Sequence, residues 1–125
     1  MKKILLFVTI LTLSFNLYAE EKKAYFAGGC FWCMEESFDQ INGVLSSTSG
    51  YSGGHLKNPK YEDVIYTDSG HVETIEITYD SSITNYKNLL QVYWKNIDPF
   101  DAEGQFCDKG KSYRSVIFFE NQNQK

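Results

Sequence analysis

Between residues 72 and 79 polar and apolar side chains alternate. Ile75, Ile77 and Tyr79 fall on one face and Thr74, Glu76 and Thr78 on the other, the two-residue period of a half-buried strand. Beyond it the period changes: Leu89, Leu90, Tyr93, Trp94 and Ile97 follow Tyr86 by 3, 4, 7, 8 and 11 positions. That stripe predicts an amphipathic helix laid on a sheet. Thr84 stands where it can cap this helix, and Asp98-Pro99 ends it. Nearer the start, residues 22–27 predict a short strand ending at Gly28-Gly29. Residues 30–40 predict a helix with Cys30, Met34, Phe38 and Ile41 near one face, closed by Asn42-Gly43. A strand is expected over 44–51, a glycine- and proline-bearing loop over 52–60 and a short helical turn over 61–66. A long polar loop then spans 100–112, and the last strand, 113–120, is apolar on both faces and on that ground central. The order β-α-β-β-α-β is the split βαβ, ferredoxin-like arrangement of an α/β (α+β) domain with long loops. Such a fold does not name a function.

The first residues follow neither period. Lys2 and Lys3 precede a stretch, residues 4–17, that is apolar except for Thr9, Thr12, Ser14 and Asn16, and small Ala19 follows. Charge, apolar run and small residue in that order predict a secretory signal over residues 1–19; the run is short for a membrane span of roughly 20 residues. No cysteine follows it to carry a lipid anchor. The expected mature chain, residues 20–125, is one domain with one modest core. It is expected to be periplasmic or secreted, monomeric, and without stable membrane association once cleaved. Loss of Lys2 and Lys3 takes the formal net charge from −4 to −6, and Arg114 is the only arginine. Nucleic-acid binding calls for clustered Lys and Arg, and no such cluster is present.

Three cysteines, Cys30, Cys33 and Cys107, suit either one disulfide plus a thiol or a reactive set. Outside the cytosol a disulfide persists. Cys30 follows two glycines at a strand-to-helix junction, where the unpaired N–H groups and positive end of a helix favour a thiolate, the reactive form. The alternative is a buried small hydrophobe. Phe31 and Trp32 point in different directions from a helix start, so one or both wall an apolar pocket beside the thiol or pack in the core. Glu73 shares the parity of Ile75, Ile77 and Tyr79. If buried there it is pushed towards protonation and becomes a general acid; if it lies at the strand end it reaches water. His71 has the same parity, and with His55 makes too small a set for a metal. Asp108, Tyr113 and Tyr61 stand in or beside loops and by themselves read as surface or packing residues.

Together these residues resemble a known family. Gly29-Cys30-Phe31-Trp32, with Glu35 after it, resembles the active-site motif of A-type peptide-methionine sulfoxide reductases. The likeness continues through Gly50-Tyr51-Ser52-Gly53-Gly54, Asn58-Pro59-Lys60-Tyr61, Gly70-His71-Val72-Glu73 and Tyr79-Asp80. It goes on through Leu89-Leu90-Gln91-Val92-Tyr93-Trp94, Asp98-Pro99 and Lys111-Ser112-Tyr113-Arg114-Ser115. The resemblance implies an elaborated ferredoxin-like fold and reduction of the S epimer of methionine sulfoxide, free or in proteins, which is repair of oxidative damage. It implies that Cys30 attacks the sulfoxide sulfur and becomes a sulfenic acid, and that Glu73 protonates the sulfoxide oxygen. Tyr61 and Tyr113 then hydrogen-bond that oxygen, Phe31 and Trp32 accept the methyl group, and Asp108 is a polar residue of the same site. No cofactor or metal is implied; the partner is an external, thioredoxin-like dithiol.

A second thiol must discharge the sulfenic acid. Many members of that family carry it in a C-terminal tail, and members usually continue past the last matched strand. This chain is therefore expected to lack that segment and to use Cys107 or Cys33. The first is favoured because its loop can move while Cys33 is tied into the helix. Two other functions compete: a thiol–disulfide oxidoreductase using Cys30-Phe31-Trp32-Cys33, and a non-catalytic binder of oxidised peptide. The element order argues against the first. The acid at Glu73 and the spare thiols, which binding does not need, argue against the second. Met34 after Cys33 excludes the usual c-type haem attachment.

Overall fold

The structure, a computed structural model, describes residues 20–125; the expected signal over residues 1–19 lies outside the described residues. The elements in chain order are β1 (Glu21–Ala27), α1 (Phe31–Asp39), β2 (Val44–Ser52), α2 (Tyr61–Tyr66), β3 (Val72–Asp80) and α3 (Tyr86–Lys95). After these come the short strands β4 (Gly104–Gln105) and β5 (Asp108–Lys109), a 3-10 turn (Lys111–Tyr113) and β6 (Val116–Phe118). The main sheet runs β2-β3-β1-β6 with every neighbouring pair antiparallel. This is the expected ferredoxin-like arrangement, with β3 inserted between the two strands that α1 connects.

Register decides which face is the core. Ala24 lies opposite Ile77, and Phe26 opposite Ile75, so alternate residues of β1 and β3 make one apolar surface. Helices α1 and α3 cover that surface with Met34, Phe38, Leu89 and Tyr93. Phe26 is at the centre, its ring 5.0 Å from Tyr93, 5.7 Å from Phe38 and 5.8 Å from Tyr86. No small residue replaces that ring without a cavity, so Phe26→Ala is expected to destabilise the domain by about 3–5 kcal/mol. Urea unfolding measures it, and an unchanged midpoint would show that this ring does not organise the core. Among the described residues no helix is long and apolar enough to cross a membrane.

The structure differs from the sequence reading in four places. The last strand is an edge strand of three residues, paired to β1 alone. Tyr113 belongs to the 3-10 turn, closed by its N–H to the Gly110 carbonyl at 3.1 Å. Apolarity on both faces has a local cause: Ile117 packs on the core, while the Phe118 ring covers Gly53 on the other side. The cap of α3 is Asn85, whose side chain accepts from the Asn88 N–H at 3.0 Å; Thr84 is not the cap. Trp94 leaves the buried stripe and is exposed, edge-on to Tyr93. The expected loop over 100–112 contains the β4–β5 hairpin.

Candidate active site

The tyrosine hydroxyl of Tyr93 donates to the Ala27 carbonyl at 2.8 Å, fixing the end of β1 against α3. From there the chain turns through Gly28 and Gly29 into α1. A Cβ on Gly28 would lie 2.8 Å from Ile97 and 2.9 Å from the Met34 sulfur. Gly29 has φ +88°, and a Cβ there would meet the Gln105 side chain at 2.7 Å. Only glycine meets both demands. Cys30 is thus delivered as the N-cap of α1, with the Met34 N–H on its carbonyl at 3.2 Å and no capping bond from its own side chain. Its half-buried sulfur stands at the positive end of the helix.

Glu73 is 2% exposed. Its Oε2 accepts the backbone N–H of Phe31 at 3.0 Å, so the carboxyl satisfies one of the orphan donors in the first turn of α1. Burial pushes the carboxyl above its ordinary range; the Phe31 N–H opposes that and the charge of Asp108 on β5 adds to it. Of the two readings left open by the sequence, the buried one holds, because the start of α1 closes over the strand end.

Of the tyrosines expected at the site, Tyr113 stands near this carboxyl and Tyr61 beside Tyr113. Tyr113 is pushed up strongly, by burial first, then by the Tyr61 hydroxyl and the Glu73 charge beside it. Tyr61 opens α2, where the Asp63 carboxylate accepts the Lys60 N–H at 2.9 Å. Phe31 and Trp32 separate as the geometry of a helix start requires. Phe31 is buried, whereas Trp32 is 71% exposed, their rings stacked at 5.8 Å. Phe31 thus packs inward, against Tyr51, and Trp32 faces solvent.

All three cysteines line one cleft of about 310 Å³ between α1 and the β4–β5 hairpin, together with Asp108, Gln105 and Lys95. None is in a disulfide. The Cys30 sulfur beside it, more than burial, pushes the Cys33 thiol up. Cys107 is exposed at the hairpin tip, next to Phe106, which takes φ +51°. The free loop expected around Cys107 is instead a paired turn. Gln105 holds it: the amide, 1% exposed, accepts from the Asp98 N–H at 2.6 Å and donates to the Asp98 and Gly104 carbonyls at 2.9 and 2.7 Å.

Sequence reasoning missed Gln105, since a lone amide in a polar stretch carries no periodic signal. It also missed Tyr51 as a neighbour of Glu73, although pairing β2 with β3 places the two directly opposite each other. His71 serves the loop before α2. Its Nδ1 accepts the Gly54 N–H at 3.2 Å, so the proton is on Nε2, which donates to the Leu56 carbonyl at 2.9 Å. Among the described residues no group of three or more His, Cys, Asp or Glu is placed to hold a metal ion.

Residues 22–125 match the family model described as peptide methionine sulfoxide reductase. The chain is 50% identical over 108 residues to the peptide methionine sulfoxide reductase MsrA of Bacillus licheniformis, covering 86% of this chain and 60% of that protein. Over 104 residues it is 54% identical to the MsrA of Listeria welshimeri, covering 83% and 59%. The chain therefore spans about three fifths of the length of these relatives. Among solved structures, methionine sulfoxide reductase A of Corynebacterium diphtheriae superposes with a TM-score of 0.79 at 28% identity, over 84% of this chain and 50% of that one. Reduced Mxr1 from Saccharomyces cerevisiae gives 0.77 at 25% identity, over 82% and 61%. By sequence and by fold, the chain belongs to the peptide methionine sulfoxide reductase family.

Proposed function

We propose that this chain reduces methionine-S-sulfoxide, free or in proteins, to methionine. The observation that carries the reading is the buried carboxyl of Glu73 bonded to the first N–H of the helix that Cys30 caps. The helix start that presents the Cys30 thiol thereby also holds the Glu73 carboxyl, through the N–H of the next residue, Phe31. The Cys30 thiolate attacks the sulfoxide sulfur. Glu73 gives its proton to the oxygen, with Tyr61 and Tyr113 as hydrogen-bond donors to it and Asp108 adjoining. The oxygen passes to Cys30 as a sulfenic acid and methionine leaves; the methyl group rests against Phe31 under the rim of Trp32.

Cys33 then attacks the Cys30 sulfenic sulfur, an S–S bond forms and water leaves. An external thioredoxin-like dithiol reduces that disulfide and is itself oxidised. Cys33 takes this role because its sulfur neighbours that of Cys30. The preference for Cys33 over Cys107 is supported by the pairing of the Cys107 segment as a hairpin held by Gln105. Protein oxidised by methionine sulfoxide without reductant is expected to yield a Cys30–Cys33 link on peptide mapping. A Cys30–Cys107 link would overturn the assignment.

The function itself is tested by incubating residues 20–125 with a mixture of methionine sulfoxide epimers in peptide form and dithiothreitol. Consumption of the S epimer alone is expected; no turnover by a folded chain would overturn the reading. The lysine-led apolar segment ahead of Glu20 supports export, so that the repaired proteins lie outside the cytosol. A mature N-terminus at Glu20 on the exported protein is the expected finding, and an uncleaved cytosolic chain would refute it.

A further inference from the structure

We infer that Tyr51 is a further positioning residue of this site: its ring shields the Glu73 carboxyl from water and braces Phe31 against it. Tyr51 lies directly opposite Glu73 in the β2–β3 register, on the face covered by α1. Its ring is tilted against that of Phe31, with centroids 5.8 Å apart. It therefore packs on one and stands opposite the other of the two residues joined by the Phe31 N–H to Glu73 bond. The phenol is pushed up by burial first and then electrostatically by Glu73, Tyr61 and Glu62.

The other groups facing Glu73 are the first N–H of α1, Asp108 of β5 and Tyr113 of the 3-10 turn. None of them closes the side that β2 covers. A carboxyl keeps a pKa raised by burial only while water is kept from it, and on that side the residue opposite is Tyr51. Phe31 is also deprived of a wall if the ring is removed, which loosens the apolar surface where a methyl group would rest.

This inference rests on the reading of Glu73 as the acid, and its test is read without turnover. Protein carrying carboxyl-labelled glutamate is titrated by NMR as wild type, Tyr51→Phe, Tyr51→Leu and Tyr51→Ser. Tyr51→Phe keeps the ring and is expected to leave the Glu73 midpoint in place. Tyr51→Ser admits water and is expected to lower it by about one pH unit. Tyr51→Leu, which keeps an apolar core residue should the serine variant fail to fold, is expected to lower it part of the way. A midpoint unmoved in the folded leucine or serine variant would overturn the inference. So would an equal fall in Tyr51→Phe, since the hydroxyl and not the ring would then be responsible. Failure of the wild type to reduce methionine-S-sulfoxide would sink the functional reading and leave this titration interpretable.

Discussion

Cys30→Ser is expected to abolish reduction of methionine-S-sulfoxide, a loss of at least about 10³-fold in kcat, the scale on which removal of a covalent nucleophile is felt. The same substitution is expected to leave the fold intact and to raise its stability. Cys30 occupies the N-cap of α1, and its side chain makes no capping bond. A serine hydroxyl there accepts an N–H of the first turn, and a good cap contributes about 1 kcal/mol. Loss of turnover with an unchanged or higher urea midpoint would separate chemistry from structure. Retained turnover would mean that another thiol of the cleft carries the attack, and a collapsed fold would mean that the sulfur is a packing element.

Glu73→Gln is expected to lower kcat by about 10²–10³-fold, the range for removal of a general acid. The amide oxygen can still accept the Phe31 N–H, so the start of α1 stays in place while the proton is gone. The pH dependence follows from the direction of the shift. Burial holds the carboxyl above its ordinary range, so the protonated acid is present on the acidic side of that raised value. Its catalysis fades as pH rises through it. The wild type therefore has an alkaline limb due to Glu73 that the glutamine variant lacks.

Stability has the same sign. A carboxyl whose folded pKa lies above its unfolded one contributes stability that is present at low pH and lost as pH rises through the folded value. The glutamine variant is thus expected to overtake the wild type in urea midpoint on the alkaline side. Parallel kcat and urea-midpoint profiles check both. Equal alkaline limbs in the two proteins would exclude Glu73 as the titrating acid.

The reaction was legible in the sequence only through the resemblance of its motifs to a known family, but the place of the site was legible from local pattern, because its residues sit at element ends. Gly28-Gly29-Cys30 announces a strand-to-helix junction, and both neighbouring elements have clear periods, so the place of the thiol follows from local pattern. Glu73 is on the core side by parity alone. Local pattern also sufficed for the β-α-β-β-α-β order and for the α1 and α3 faces, where Met34, Phe38, Leu89 and Tyr93 are buried. A period of two or of 3.6 is imposed by backbone geometry and is written directly in the order of residues.

Contacts between distant segments carry no such period. Whether Glu73 is dry depends on α1 closing over it, from 42 positions away in the chain. That Tyr51 is its neighbour depends on strand register. Gln105 acquires its role only because Gly29 and Asp98 meet beside it, and Trp94, at the spacing of the buried stripe, is 51% exposed and meets only the edge of Tyr93 among the rings of the described residues. The residue types and their faces are local properties of the chain. The burial of Glu73, the arrangement of the three thiols in one cleft and the packing of Phe31 on Tyr51 are set by contacts between elements, because desolvation and contact depend on what arrives from elsewhere in the sequence.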